Sequence, residues 1–169
     1  MSQQGALLVM VSVAVVLLAA LVWAWVRRTR RDAAIAAPFG EAPAGAVVRE
    51  VFSGLYVATT KHGEPLERLA IRGLAFRSKA DLTITDAGVA LDLTGSPRVF
   101  LPVERLTRAA QATVAIDRVV EPDGLVRLDW RTDDGTVVDT YFRPQDASAR
   151  ALADAVGDIL LPTPTGTDA

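Results

Sequence analysis

Residues Ala6 to Val26, ALLVMVSVAVVLLAALVWAWV, run for twenty-one positions without a charge, and Arg27, Arg28, Arg30 and Arg31 follow at once. As an α-helix the run rises ~32 Å, against a hydrocarbon core of about 30 Å, so it crosses a bilayer with little tilt. Twelve of its residues are Leu or Val, and each favours insertion by roughly 0.3 to 0.6 kcal/mol. A cleaved leader instead has a positive start, an apolar core of about 7 to 15 residues and a small-residue cleavage site. Here the start, MSQQG, is uncharged, the apolar run is longer, and arginines stand where cleavage would fall. The sequence therefore predicts a retained, single-pass anchor over residues 1–31. Short flanks rich in arginine stay cytoplasmic, which predicts an outside N-terminus and a cytoplasmic C-terminal domain at the plasma membrane. Trp23 and Trp25 then sit at the inner interface, and Ala20 and Ala24 give a small-xxx-small spacing.

Charge and composition narrow what the rest does. From residue 46 onward 14 Lys and Arg face 18 Asp and Glu, a net charge of −4, whereas a nucleic-acid footprint needs a basic face. The chain has no cysteine, which excludes disulfides, thiolate metal ligands and thiol catalysis. It has no asparagine either, hence no N-glycan acceptor.

Residues 32–46, DAAIAAPFGEAPAGA, are broken by Pro38, Gly40, Pro43 and Gly45 and read as a flexible tether. From Val47 short strands alternate with turns, which predicts one mainly β domain over 47–161. The expected strands are Val47–Thr59, Leu69–Phe76 with a bulge at Gly73, Leu82–Thr85, Val89–Leu93, Val99–Leu101, Ala112–Ile116, Leu125–Trp130 and Val137–Phe142. Asp86-Ala87-Gly88 reads as a three-residue hairpin loop, Pro102–Leu106 as a helical turn, and Glu121–Gly124 and Asp133–Gly135 as turns. Ala149, Leu152, Ala153, Val156, Ile159 and Leu160 fall on one face of a helix over Gln145–Leu161, with Asp146 in its first turn. Residues 162–169 read as a disordered tail.

About seven strands and one C-terminal helix, carrying ADLTITDAGVALDL, VFLPVERL and LVRLDWRTDDGTVVDTYFRPQDASARALADAV, resemble a bacterial pleckstrin-homology-like (PH-like) domain. That likeness implies a seven-strand β-barrel or sandwich capped by the helix. With the single membrane helix in front, the chain is similar to small actinobacterial membrane proteins often labelled export or transporter proteins. In phosphoinositide-binding PH domains a Lys in the first inter-strand loop and a Lys/Arg-x-Arg on the next strand grip phosphates. The resemblance puts Lys61 and Arg68 there, with His62 beside them. Leu69 and Ala70 interrupt the pattern, however, and Glu64 and Glu67 add negative charge.

Other chemistry is sparse. His62 is the one histidine, so a serine triad or a zinc site would have to be built around it. No Walker or G-x-G-x-x-G sequence occurs, and Asp133-Asp134-Gly135 lacks the spacing of a calcium loop. The expectation is a non-enzymatic binding or scaffolding module without a cofactor or metal. Its partners are the bilayer, through Arg27, Arg28, Arg30 and Arg31, and a membrane-associated protein. The alternative is an accessory subunit of a transport or export system, with the helix packed against partner helices.

Overall fold

The computed structural model describes residues 3–32, 35–115, 118–119 and 124–161, and the chain divides into two units, 1–34 and 35–169. The first unit is helix α1 (Gln3–Asp32), which continues through the arginines. Its large apolar side chains from Leu7 to Trp25 are 51% to 72% exposed. The tail expected at 162–169 and most of the turn expected at 121–124 lie outside the described residues.

The second unit contains β1 (Val48–Lys61), β2 (Ser78–Thr85), β3 (Gly88–Leu93), β4 (Val99–Pro102), β5 (Leu106–Ala112), β6 (Val114–Ala115), β7 (Arg118–Val119), β8 (Leu125–Arg131), β9 (Val137–Pro144) and α2 (Ala149–Leu160). Seven strands form one antiparallel sheet in the order β4-β3-β2-β1-β9-β8-β5, and β6 pairs with β7 apart from it. The mainly β architecture with a C-terminal helix is the one the sequence predicts.

Strand β1 serves both halves of the sheet. Val48–Tyr56 pairs with β2 and Gly54–Lys61 pairs with β9, so Gly54 to Tyr56 are bonded on both sides. Gly54 lets the two neighbours close in, because a Cβ there would lie 2.2 Å from the Arg143 carbonyl oxygen and 2.9 Å from the Phe142 ring. Inside, Tyr56, Leu82, Ile84, Leu91, Leu101, Leu128, Trp130 and Phe142 form one apolar core with Leu152 and Val156 of α2. A short polar chain runs through it: Tyr56 Oη donates to the Leu74 carbonyl at 2.6 Å, Thr59 and Thr140 share a bond of 2.8 Å, and Trp130 Nε1 donates to Thr140 at 2.9 Å. Each buried polar group in that chain is satisfied. Burial raises the Tyr56 phenol far above its ordinary value, so it stays a neutral donor.

Several local expectations are corrected. Leu69–Phe76 is irregular backbone with one turn at Arg72–Leu74 rather than a strand. Its apolar residues Leu69, Ile71 and Leu74 are buried in the core, while Phe76 points outward. The phase slip at Gly73 marks a residue with φ of 84° in a turn, where a non-glycine residue would be strained. The β2–β3 loop is two residues long, since Thr85 pairs with Gly88. Gly88 is required by the closeness of β4, a Cβ there lying 2.2 Å from the Leu101 carbonyl oxygen. Pro102–Leu106 turns without becoming helical, and the strand after it starts at Leu106 rather than Ala112. Its alanines and polar residues, LTRAAQA, gave little apolar alternation to read.

The tether expected at 32–46 is in part docked. Ile35 and Ala37 pack against the core, Phe39 bridges Val99, and Phe100 N donates to the Pro38 carbonyl at 2.9 Å. Arg98 Nη1 reaches Glu41 at 2.7 Å while its Nε and Nη2 hold Asp92 at 2.7 and 3.0 Å. Alanines and prolines looked like linker composition, yet small side chains and a proline carbonyl are what lie down beside a strand.

Helix α2 starts at Ala149, four residues later than expected, because Ser148 caps it by accepting from Ala151 N at 3.1 Å. Asp146 precedes the helix and accepts from Ser53 N at 3.0 Å, tying the approach to β1. Ala149, Leu152, Ala153, Val156 and Ile159 are buried, mainly against β5 and β8. Leu152→Ala and Val156→Ala should each lower stability by about 1 to 4 kcal/mol, and the exposed Arg150→Ala by less than about 0.5 kcal/mol, measured by denaturant unfolding of the full chain in detergent. In the same assay Gly54→Ala should lower stability by about 2 to 3 kcal/mol through overpacking alone.

Candidate functional site

The connection from β1 to β2 is the longest in the domain; it carries the candidate residues His62 and Arg68, and Lys61 ends β1 just before it. Its first part doubles back beside β1: Leu69 N donates to the Thr59 carbonyl at 2.9 Å and Lys61 N to the Glu67 carbonyl at 3.0 Å. That return folds His62 over the sheet. Beneath it, Thr60, Asp139 and Asp129 are cross-strand neighbours on β1, β9 and β8. All three are buried, Asp139 completely.

A buried carboxylate needs partners, and each here has two. His62 Nδ1 lies 2.6 Å from Asp139 Oδ1, and Gly63 N donates to Asp139 Oδ2 at 3.0 Å. Arg127 grips Asp129 with both arms of its fork, Nε at 2.7 Å and Nη2 at 3.0 Å. Burial raises the Asp129 carboxyl above its ordinary value, with Arg127 pulling the other way. The Tyr141 phenol, beside the cluster, is raised by burial and next by the Asp139 charge. The ligand atoms of His62, Asp129 and Asp139 all lie within 4.8 Å of one another, a donor set that suits a divalent cation. Every carboxylate oxygen in it already has a protein nitrogen at hydrogen-bond distance, so a cation would compete with Arg127 for Asp129. As built, the cluster pins the loop to the sheet.

The bridge between Thr60 and Arg68 brings the predicted ligand residues side by side along the backbone, but their side chains take different partners. Arg68 turns inward, its Nη1 donating to the Ala75 carbonyl at 3.0 Å and its Nη2 to the Val57 carbonyl at 2.5 Å. Lys61 Nζ holds Glu64 at 2.6 Å and stands 3.9 Å from Glu67. The hydrogen bond from Lys61 keeps the Glu64 carboxyl below its ordinary value. Because β2 begins at Ser78, the basic-x-basic pair at its start is Arg77 and Lys79. Lys61 lies five residues beyond Tyr56, the partner of Ser78, or ~17 Å along the strand. The four arginines after the apolar run all fall on α1, where the Arg27 guanidinium sits 5.5 Å from the Trp23 ring centroid.

Arg127, Asp129 and Asp139 were not singled out by sequence. The signal was present as two charges at alternate positions of LVRLDWR and one inside VVDTYF, in strands otherwise made of core residues. Arg127→Met should lower stability by about 2 to 4 kcal/mol at neutral pH, somewhat less than a fully buried pair because part of Arg127 reaches solvent. Asp129 titrates above its unfolded value, so the stability it contributes is complete below about pH 4 and lost as pH rises through the folded value. Losing Arg127 enlarges that loss. The gap between wild type and Arg127→Met should therefore shrink from pH 7 toward pH 4 in urea titrations.

The family described as "Bacterial PH domain-like" matches residues 35–156. Among solved structures the chain is similar to the C-terminal domain of an unknown protein from Leishmania infantum. The two are 11% identical over 70% of this chain and 88% of that one, with a TM-score of 0.45, a likeness too distant to carry an argument. No curated protein matches the chain. The family match covers most of the chain and starts at Ile35, where the second unit starts as well, and on that ground the chain belongs to the bacterial PH domain-like family.

Proposed function

We propose that the protein is a non-enzymatic binding or scaffolding module, anchored in the plasma membrane by α1 and presenting its PH-like domain at the cytoplasmic face to a protein partner. The observation that carries this reading is the contrast between the two helices. The apolar stripe of α2 is buried in the domain core, whereas α1 exposes its large apolar side chains from Leu7 to Trp25. A stretch of that length and exposure requires an apolar surrounding, and a bilayer supplies one. The positive end of the helix favours the cytoplasmic side. The candidate ligand residues are engaged within the domain: His62 lies on Asp139, Lys61 holds Glu64, and Arg68 donates to the Val57 carbonyl of β1.

A reporter that is active only in the cytoplasm, fused after Ala169, should be active in cells, and one that requires export should be silent. The reverse pattern overturns the orientation. Replacing Arg27, Arg28, Arg30 and Arg31 together with Gln should give both orientations, because no other basic residue near the run biases it. Exchanging residues 6–26 for an unrelated membrane span should leave partner capture intact for a scaffold. Loss of capture would mean that the helix itself is the binding element.

A further inference from the structure

The segment that covers β4 lies along it as a short added strand would. Among the described residues two backbone hydrogen bonds join them, Gly40 N donating to the Arg98 carbonyl at 3.1 Å and Phe100 N to the Pro38 carbonyl at 2.9 Å, with Phe39 paired antiparallel to Val99. Side chains at three alternate positions then meet three different features of the domain. Ala37 is buried against the core. Phe39 lays its ring on Gly73, where a Cβ would stand 2.6 Å from its Cζ and 2.8 Å from its Cε1. Glu41 accepts from Arg98 Nη1 at 2.7 Å. The edge thus has a separate place for a small residue, for an aromatic ring and for a carboxylate of one extended segment.

Those places are held by the domain itself. Arg98 is fixed on Asp92 through Nε at 2.7 Å and Nη2 at 3.0 Å. Ser96 Oγ donates to the Gly73 carbonyl at 3.3 Å, and Ile71 and Leu74 on either side of that turn are buried. On its other side β4 is paired with β3 from Val99 to Pro102. The occupant is held more lightly. The seven strands of the main sheet pair without it, Phe39 stays 43% exposed where it is seated, and the Glu41 side chain is 73% exposed. Elements with few buried contacts open at low free energy. A preformed edge with a replaceable occupant is the condition under which an extended peptide adds to a sheet, its backbone giving affinity and its alternate side chains specificity.

We propose, resting on the reading of the domain as a protein-binding module, that the β4 edge is a peptide-binding groove and that residues 37–41 are its built-in occupant. The ligand it takes is an extended segment of a partner protein with a small residue, an aromatic residue two positions on and a carboxylate two positions after that. Such a segment adds along β4 in place of residues 37–41, its ring on Gly73 and its carboxylate on Arg98. The resident segment competes with it at the high effective concentration of a tethered ligand, so the groove is closed until a partner outcompetes its occupant.

The full chain in detergent is titrated with a fluorescein-labelled peptide of residues 35–41, IAAPFGE, and binding is read by anisotropy. Phe39→Ala with Glu41→Gln in the chain loosens the resident segment and leaves the groove, so the apparent affinity for the peptide should rise on the order of 10-fold over wild type. Glu41→Gln alone, at an exposed position, should raise it about 2- to 5-fold with the thermal transition unchanged. Adding Arg98→Gln to the double variant should lower the affinity about 2- to 5-fold, and a peptide carrying Glu41→Gln should then bind as well as the native peptide. A peptide carrying Phe39→Ala should bind on the order of 10-fold more weakly. With benzoylphenylalanine in place of Phe39, the peptide should crosslink on irradiation to Arg72, Gly73 or Leu74. Equal affinity for wild type and the loosened chains overturns the proposal, because the peptide then shares no site with the resident segment. No binding by the double variant at about 1 mM peptide, or crosslinks confined to other parts of the domain, overturns it as well. Where the double variant loses its thermal transition, Glu41→Gln decides, and an unchanged peptide affinity there overturns the groove. In cells, partner capture undiminished by Arg98→Gln overturns the groove as the partner site and leaves the scaffold reading standing. Peptide binding as expected without any partner capture in cells upholds the groove and overturns the scaffold reading.

Discussion

Strand β1 is bonded on both sides over Gly54 to Tyr56, and the rest of the domain depends on that shared stretch. Only because β2 and β9 both reach it can the meander β2-β3-β4 and the group β9-β8-β5 belong to one sheet. The missing side chain at Gly54 brings the Arg143 carbonyl close enough for the crossover. The side chain of Tyr56, two positions on, enters the core beneath the same crossover and ties it to the loop through the Leu74 carbonyl. A strand that turns a corner in this way needs one position without bulk and one with a long polar reach, and the sequence Gly-Leu-Tyr supplies both.

What could be read from residues alone follows the physics of each signal. A run such as LTIT followed by VALDL around a glycine alternates with a period of two, and the hairpin was legible within one residue. Helix α2 was legible because Leu152, Val156 and Ile159 repeat on one face, while its start was not, since Ser148 and Asp146 both suit a first turn and only the bond from Ala151 N decides between them. Leu69, Ile71 and Leu74 illustrate the opposite case. Their spacing looked like a strand because they are buried, but burial in a turn needs apolar residues as much as burial in a sheet does. Strand β5 was hidden for the converse reason, its exposed face being mostly alanine and polar residues.

The charged cluster escaped the sequence for a different reason. Arg127 and Asp129 are two residues apart and so point to the same side of β8, but Asp139 is brought beside them by the β8–β9 register, and His62 arrives from a loop seventy-seven positions away. No local pattern announces such a meeting. Its arrangement, one guanidinium clamped on one carboxylate and an imidazole over the next, makes the position of the loop a function of charge as well as of packing. A loop fixed in this manner presents Leu66, Glu64 and Lys61 in a defined arrangement rather than as a loose tip.

The docking of Ile35 to Gly40 beside β4 has a consequence for the integrity of the sheet. An uncovered outer strand offers a row of unpaired amides and carbonyls to any passing strand. In this chain Pro38, Phe39 and Gly40 occupy that row at Arg98, Val99 and Phe100. The outward amide of Phe39 already donates to the Ala37 carbonyl at 2.8 Å, so the covering segment is itself a poor template for a further strand. The boundary of the second unit therefore falls before Ile35. A version trimmed at residue 46, where composition suggests the linker ends, would keep the sheet but bare its edge, and would be prone to edge-to-edge aggregation.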